Sequence, residues 1–159
     1  MEIERKFLVL SIPDLSGYKV LSLEQGYLCT KPVVRARKEC DTYYLTYKGK
    51  GTLAHEEYNL PLTKEAYKHL IVKADGNIIT KKRYLIPYLN YTIELDIFEG
   101  DLAPLVYAEV EFETIEDAVS FLPPEWFGED VTEDYRFTNA FLSTDEGRNF
   151  IISRLSDNR

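Results

Sequence analysis

The chain has 159 residues, a formal net charge of −8 and 45% hydrophobic residues. That length suits one folded domain with a real core, residues 1–159, and the composition excludes a disordered chain. The acidic balance excludes a general nucleic-acid binder, which depends on excess Lys and Arg, and no apolar run reaches the length of a membrane-spanning helix. The N-terminal Met-Glu-Ile-Glu-Arg-Lys carries no apolar signal segment. Cys29 and Cys40 make no CxxC pair and no metal cluster with His55 or His69, so a cytoplasmic protein with reduced cysteines is expected.

Alternating side chains predict strands over residues 2–10, 24–29, 33–39, 42–48 and 56–60. Pro61 ends the fifth of these, and a helix is expected over 64–73 with Thr63 as its N-cap. The turn at Asp75-Gly76-Asn77 leads into a strand over 78–86, followed by strands over 91–98 and 106–112. A second helix over 115–122, capped by Thr114, is stopped by Pro123-Pro124. A short helix over 136–142 and a last one over 144–155 close the chain.

Eight strands with hairpin-length connections favour an antiparallel sheet or barrel. Residues two apart share a face, and the faces here are strongly charged. Glu2, Glu4 and Lys6 oppose Ile3, Phe7 and Val9; Arg35, Arg37 and Glu39 oppose Val34 and Ala36; Thr46 and Lys48 oppose Leu45 and Tyr47. Lys81 and Arg83 share a face, with Lys82 on the other side. Glu94 and Asp96 oppose Ile93, Leu95 and Ile97, and Glu109, Glu111 and Glu113 oppose Val106, Ala108, Val110 and Phe112. A sheet with one face in water accounts for any single strand of this kind. A solvated face normally intersperses both signs, whereas here like charges are grouped strand by strand, one pair of strands rich in carboxylates and three others carrying cations, an arrangement that repels itself unless a counter-charge relieves it. The expected fold is therefore α+β: an eight-stranded antiparallel closed barrel, charged inside as a tunnel, with helices packed on the apolar outside.

The charged positions also carry a family likeness. Glu2-Ile3-Glu4-Arg5-Lys6 fits an ExExK motif in the first strand. Arg35-Ala36-Arg37, Lys48, Glu57, Lys81-Lys82-Arg83-Tyr84, Glu94-Leu95-Asp96 and Glu109-Val110-Glu111-Phe112 follow in order, with Asp134 and Arg136 in a closing segment. Over nearly the whole chain this resembles the CYTH superfamily, also called triphosphate tunnel metalloenzymes. One departure is Asn59, where family members often carry a second acidic residue after the position of Glu57. The resemblance implies a barrel holding a triphosphate, and the small members are similar to inorganic tripolyphosphatases.

Each residue type suits that chemistry. A triphosphate needs several inward cations, and Lys6, Arg35, Arg37, Lys48, Lys81 and Arg83 fit by type and face, with Arg136 supplied from outside the sheet and Glu57 beside them. Mg²⁺ or Mn²⁺ takes carboxylate and phosphate oxygens. Glu2, Glu4, Glu109 and Glu111 are the first ligand candidates, then Glu94 and Asp96, and the lack of a His or Cys cluster argues against structural zinc. Glu4 is assigned to orient the attacking water and Lys6 to stabilise developing charge. His55 is expected at an edge or on the surface with at most an accessory role, His69 exposed on its helix. Tyr43, Tyr47 and Tyr84 are expected to pack between barrel and helices, and Trp126 to anchor a loop. The expected partner is a small anionic triphosphate, with no nucleic acid and no membrane, and the sequence leaves a homodimer open. An adenylate cyclase, a thiamine or nucleoside triphosphatase and a non-catalytic polyphosphate-binding module are the alternatives. The first would need an adenine pocket that no residue set declares, and the last would not need the carboxylates.

Overall fold

Ten strands form one antiparallel sheet in the computed structural model, which describes residues 1–157. They are β1 (Glu2–Val9), β2 (Lys19–Thr30), β3 (Val33–Glu39), β4 (Thr42–Lys48), β5 (Ala54–His55), β6 (Glu57–Pro61), β7 (Asp75–Tyr88), β8 (Tyr91–Phe98), β9 (Val106–Phe112) and β10 (Phe127–Asp130). Hydrogen-bonded neighbours run β10-β1-β9-β8-β7-β2-β3-β4-β6, and β5 pairs with β1. Because β5 and β6 are consecutive through Glu56, one stretch of chain binds β1 on one side and β4 on the other. The sheet thereby curls into a nearly closed barrel.

Two differences from the eight expected strands have local causes. The strand expected over 56–60 is β6, and the two residues just before Glu56 form an additional short strand, β5, that pairs with the opposite edge. Strand β10 has only four residues, Phe-Gly-Glu-Asp, with no alternation to betray it.

The helices α1 (Lys64–Ile71), α2 (Ile115–Ser120), α3 (Asn139–Leu142) and α4 (Asp145–Asp157) lie against this barrel. Thr63 and Thr114 cap as expected, their hydroxyls accepting from the amides of Ala66 and Asp117 at 3.1 Å each. Helix α2 ends at Ser120 and leaves Phe121 extended, consistent with the bias that Pro123-Pro124 imposes on the residues before it. The stretch expected as one helix over 136–142 is a 3₁₀ turn, Tyr135–Phe137, followed by α3 with Thr138 as its cap.

Two apolar cores hold the site between them. The odd-numbered face of β1 (Ile3, Phe7) joins Ile93, Leu95, Ala108, Val110 and Phe112 outside the barrel, closed over by Ala118 of α2, Phe121 and Phe127. Trp126 packs against this cluster, edge-on to Phe127. The second core gathers Tyr27, Ile79, Phe98 and Tyr107 with Phe137, Leu142 of α3 and Ile151 of α4. The end of α1 and the start of β7 lie so close to β2 that a Cβ on Gly26 would sit 2.9 Å from the Ile71 side chain and 2.8 Å from those of Ala74 and Ile78, so only glycine fits there. Tyr43 meets Tyr67 of α1 as expected, but Tyr47 points outward and stacks on Tyr58 without meeting a helix.

Candidate active site

Antiparallel register, rather than chain proximity, assembles the interior. On β1 and β9, Glu4 lies opposite Glu111 and Lys6 opposite Glu109; on β8 and β9, Glu94 lies opposite Glu109. Across the barrel, Arg37 of β3 pairs in register with Gln25 and Tyr44, and Arg35 with Tyr27 and Thr46. Lys48 pairs with Glu57, and Glu2 with His55. Apart from Gln25 and Thr46, these side chains line a cavity of about 440 Å³, within the usual range for a small-molecule site.

Of the residues expected in the site, the cavity wall includes Glu2, Glu4, Lys6, Arg35, Arg37, Lys48, Glu57, Arg83, Glu94, Glu109 and Glu111. Three lie elsewhere. Lys81 and Asp96 are fully buried behind the wall, where Lys81 Nζ sits 2.7 Å from Asp96 Oδ2 and donates to Asn139 Oδ1 at 3.1 Å. Arg136 turns outward. It pairs with Asp134 at 2.8 Å, stacks over Phe150 and borders a separate surface hollow. Its place in a 3₁₀ turn beyond the sheet gave no alternation from which to read its direction.

The carboxylates are more crowded than the local cations can neutralise. Burial and the neighbouring Glu109 raise Glu4 well above the ordinary range. Glu109, despite burial, is held below it by Lys6, Arg83 and Lys81, so this pair shares a proton. Burial and a hydrogen bond with Glu2 push Glu57 up to about 7 and Glu111 up to about 8. Glu2 itself is driven low: burial opposes this, but hydrogen bonding with His55 and Glu57 and the charge of Lys48, 3.4 Å away, outweigh it.

The opposite wall has the converse problem. Arg37 Nε donates to the neutral Gln25 at 2.8 Å, and Arg35 Nη2 to Thr46 at 3.3 Å. Among the described residues no carboxylate lies within the 4.0 Å of an ion pair from either guanidinium, and Arg35 Nε is buried without a partner. Burial, with Arg35 and Arg83 nearby, lowers Arg37 to about 10. Lys6 is poised between the walls, donating to the Phe137 carbonyl at 2.9 Å, over the Tyr107 ring and 4.0 Å from Glu109.

Such an interior, one wall short of cations and the other short of anions, is matched by sequence comparison. The sequence model of the CYTH domain fits residues 1–138. The chain belongs to the CYTH family. Two relatives share the likeness over most of the chain. An inorganic triphosphatase of Nitrosomonas europaea is 40% identical over 147 residues, 89% of this chain and 96% of that protein. Another inorganic triphosphatase, of Acetivibrio thermocellus, is 36% identical over 154 residues, 94% of this chain and 97% of that one. A crystal structure of an inorganic triphosphatase superposes with a TM-score of 0.68 at 37% identity, covering 90% of this chain and 94% of the other.

Several residues of this CYTH cavity escaped the sequence reading. Gln25 is fully buried and orients Arg37; its only signal was sharing a face with Tyr27 on a strand. Asn139 and Tyr107 hydrogen-bond to each other at 2.7 Å and brace Lys81 and Lys6. Asn59, by contrast, was singled out from the sequence as a departure from the family pattern; it stands at the wall and accepts from Thr46 Oγ1 at 2.6 Å, continuing the chain of neutral contacts from Arg35. His55 is the clearest correction: instead of lying at the surface it is 6% exposed, with Nε2 2.6 Å from Glu2 Oε1. His69 is exposed on α1.

Proposed function

We propose that this CYTH protein hydrolyses inorganic tripolyphosphate with the help of a divalent metal, Mg²⁺ or Mn²⁺. The observation that carries this reading is the pair of buried guanidiniums, Arg35 and Arg37, lacking any anionic partner and sharing a cavity with carboxylates that share protons. An isolated polyanion would satisfy the first wall only, and a metal the second wall only. A metal–triphosphate complex satisfies both. The curated relatives, named inorganic triphosphatases, support the same substrate.

The donor set fits a hard divalent cation, since Glu2, Glu4, Glu94, Glu109 and Glu111 supply oxygens around one space and the protonated ones lose their protons to a cation readily. A metal bound there supplies charge neutralisation on phosphate oxygens. Everything else falls to the chain. Arg35, Arg37 and Lys48 grip the phosphate chain, Arg through paired N–H groups and Lys as a point charge. Arg83, already bound to Asp96 at 2.7 Å and Glu94 at 3.0 Å, stiffens the floor and keeps Glu94 and Glu109 in position. Glu57 lies 3.9 Å from Lys48 and fixes its direction.

In the reaction a water oxygen bonds to a terminal phosphorus while the bridging P–O bond breaks, releasing orthophosphate and pyrophosphate. Glu4, at the cavity wall two residues before Lys6 on β1, orients that water and accepts its hydrogen bond. Lys6 faces the same space and stabilises charge as it develops. Phosphate release from tripolyphosphate, measured with Mg²⁺, Mn²⁺ or EDTA, tests the reading. Metal-dependent release is expected from the wild type, falling about hundredfold or more in Glu4→Ala. Release that persists in EDTA or in the variant contradicts the assignment.

A further inference from the structure

The local fold holds one nitrogen donor among these carboxylates. Strand β5 contains only Ala54 and His55, and its register sets His55 opposite Glu2. The turn before it is constrained: Gly51 has φ +124°, and a Cβ there would lie 2.0 Å from the Ala54 carbonyl oxygen. The Leu53 carbonyl accepts from the Glu4 amide at 2.9 Å, tying the same turn to β1. His55 is thus delivered to the cavity wall on a braced backbone, beside the two carboxylates at the start of β1.

Three features of the imidazole then matter together. It is 6% exposed. Its ligand nitrogen and one oxygen each of Glu2 and Glu4 all lie within 4.8 Å of one another, a spacing that a single cation can span. Its Nδ1 is buried without a hydrogen-bond partner. In a histidine held for packing, the partner of one nitrogen fixes the tautomer and so the role of the other. Without metal, Nε2 donates its hydrogen to Glu2, 2.6 Å away. Among the described residues no protein group occupies Nδ1, so the hydrogen can reside there once a cation takes the Nε2 lone pair.

We infer that His55 is a nitrogen ligand of the divalent metal held by Glu2 and Glu4. This rests on reading those carboxylates as metal-binding, and it adds a selectivity. Oxygen-only sites suit Mg²⁺, whereas one imidazole moves the preference toward Mn²⁺ and Co²⁺. The competing account is that His55 only hydrogen-bonds Glu2 and holds it in place.

Metal alone, without triphosphate, separates the two. Mn²⁺ and Mg²⁺ are titrated into metal-free wild type, His55→Gln and His55→Ala, with circular dichroism to confirm folding. Glutamine keeps an N–H that can donate to Glu2 but has no imidazole lone pair, so it preserves positioning and removes the ligand. The expected result is histidine nitrogen coupling in the pulsed EPR spectrum of Mn²⁺ bound to wild type and its loss in both variants. The ratio of Mn²⁺ to Mg²⁺ affinity should fall about tenfold in His55→Gln. Absence of nitrogen coupling in wild type, or an unchanged affinity ratio in His55→Gln, overturns the inference. Because none of these readouts needs turnover, nitrogen coupling in a wild type that releases no phosphate would uphold His55 and sink only the triphosphatase reading.

Discussion

Arg35 and Arg37 on β3 have the same spacing as Lys81 and Arg83 on β7, and all four are almost fully buried. Their partners differ completely. Asp96 receives both β7 cations, at 2.7 Å from Lys81 and 2.7 Å from Arg83, and Glu94 and Glu109 complete the arrangement. Although burial favours the neutral acid, these cations hold Asp96 below the ordinary range. The β3 cations meet only Gln25 and Thr46. Identical spacing therefore produces a structural charge network on one strand and, on the other, guanidiniums with neutral partners that we propose as the anion receptor, because what distinguishes them is the strand across the register. Strand β8 brings carboxylates to β7, while β2 and β4 bring neutral side chains to β3.

The contrast predicts opposite consequences of mutation, and the largest belongs to the β7 side. Asp96→Asn leaves two buried cations under-compensated and should lower the unfolding free energy by about 3–5 kcal/mol in urea denaturation. Replacing both members, as Lys81→Met with Asp96→Leu, should recover part of that loss; recovery of none would mean that Arg83 alone dominates the network. On the β3 side, Arg35→Ala should cut kcat/KM for tripolyphosphate about hundredfold. Without ligand its stability should stay level or rise, since a like charge beside Arg37 is removed. A large loss of stability in Arg35→Ala would erase the distinction between the strands.

A smaller effect comes from pH. Glu57 at about 7 and Glu111 at about 8 both lie above the ordinary 4.5, so between those values the folded chain binds more protons than the unfolded one. Stability of the metal-free protein should then fall as pH rises from about 5 to 7, and level off above 7, where burial lowers Lys81 to about 7 and its loss of a proton in the folded chain opposes the Glu111 effect. Below about 4.5 the slope reverses, because Glu2 and Glu109 are held low and their protonation costs stability. Thermal melts in EDTA across this range check the sign, and saturating Mg²⁺ should flatten or invert the upper slope by displacing those protons. Least affected should be Arg136→Ala. Its guanidinium does not line the cavity, although its partner Asp134 stands at the rim, and turnover should stay within about twofold of wild type.

Faces were legible from the sequence because alternation is a local property of each strand. Eleven expected site residues reached the cavity wall on that basis: Glu2, Glu4, Lys6, Arg35, Arg37, Lys48, Glu57, Arg83, Glu94, Glu109 and Glu111. Depth along the tunnel and cross-strand partners were not legible, because register is set by distant turns and bulges such as the irregularity between Gln25 and Tyr27. For that reason Lys81 and Asp96 looked like wall residues and are instead a pair sealed behind it. His55 was misjudged because the break at Glu56 separates it from the strand to which its spacing seemed to assign it. The overall barrel was recoverable since six charged faces of this kind, on eight expected strands, have few other places to go.

The most direct test of the anion-receptor claim is an equilibrium titration of non-hydrolysable imidotriphosphate with Mg²⁺. It compares wild type, the Arg35→Ala/Arg37→Ala double variant and Arg136→Ala. The account predicts one site on the wild type, essentially unchanged binding in Arg136→Ala, and an affinity loss of about hundredfold or more in the double variant. Equal binding by wild type and the double variant would contradict it, placing the triphosphate away from β3.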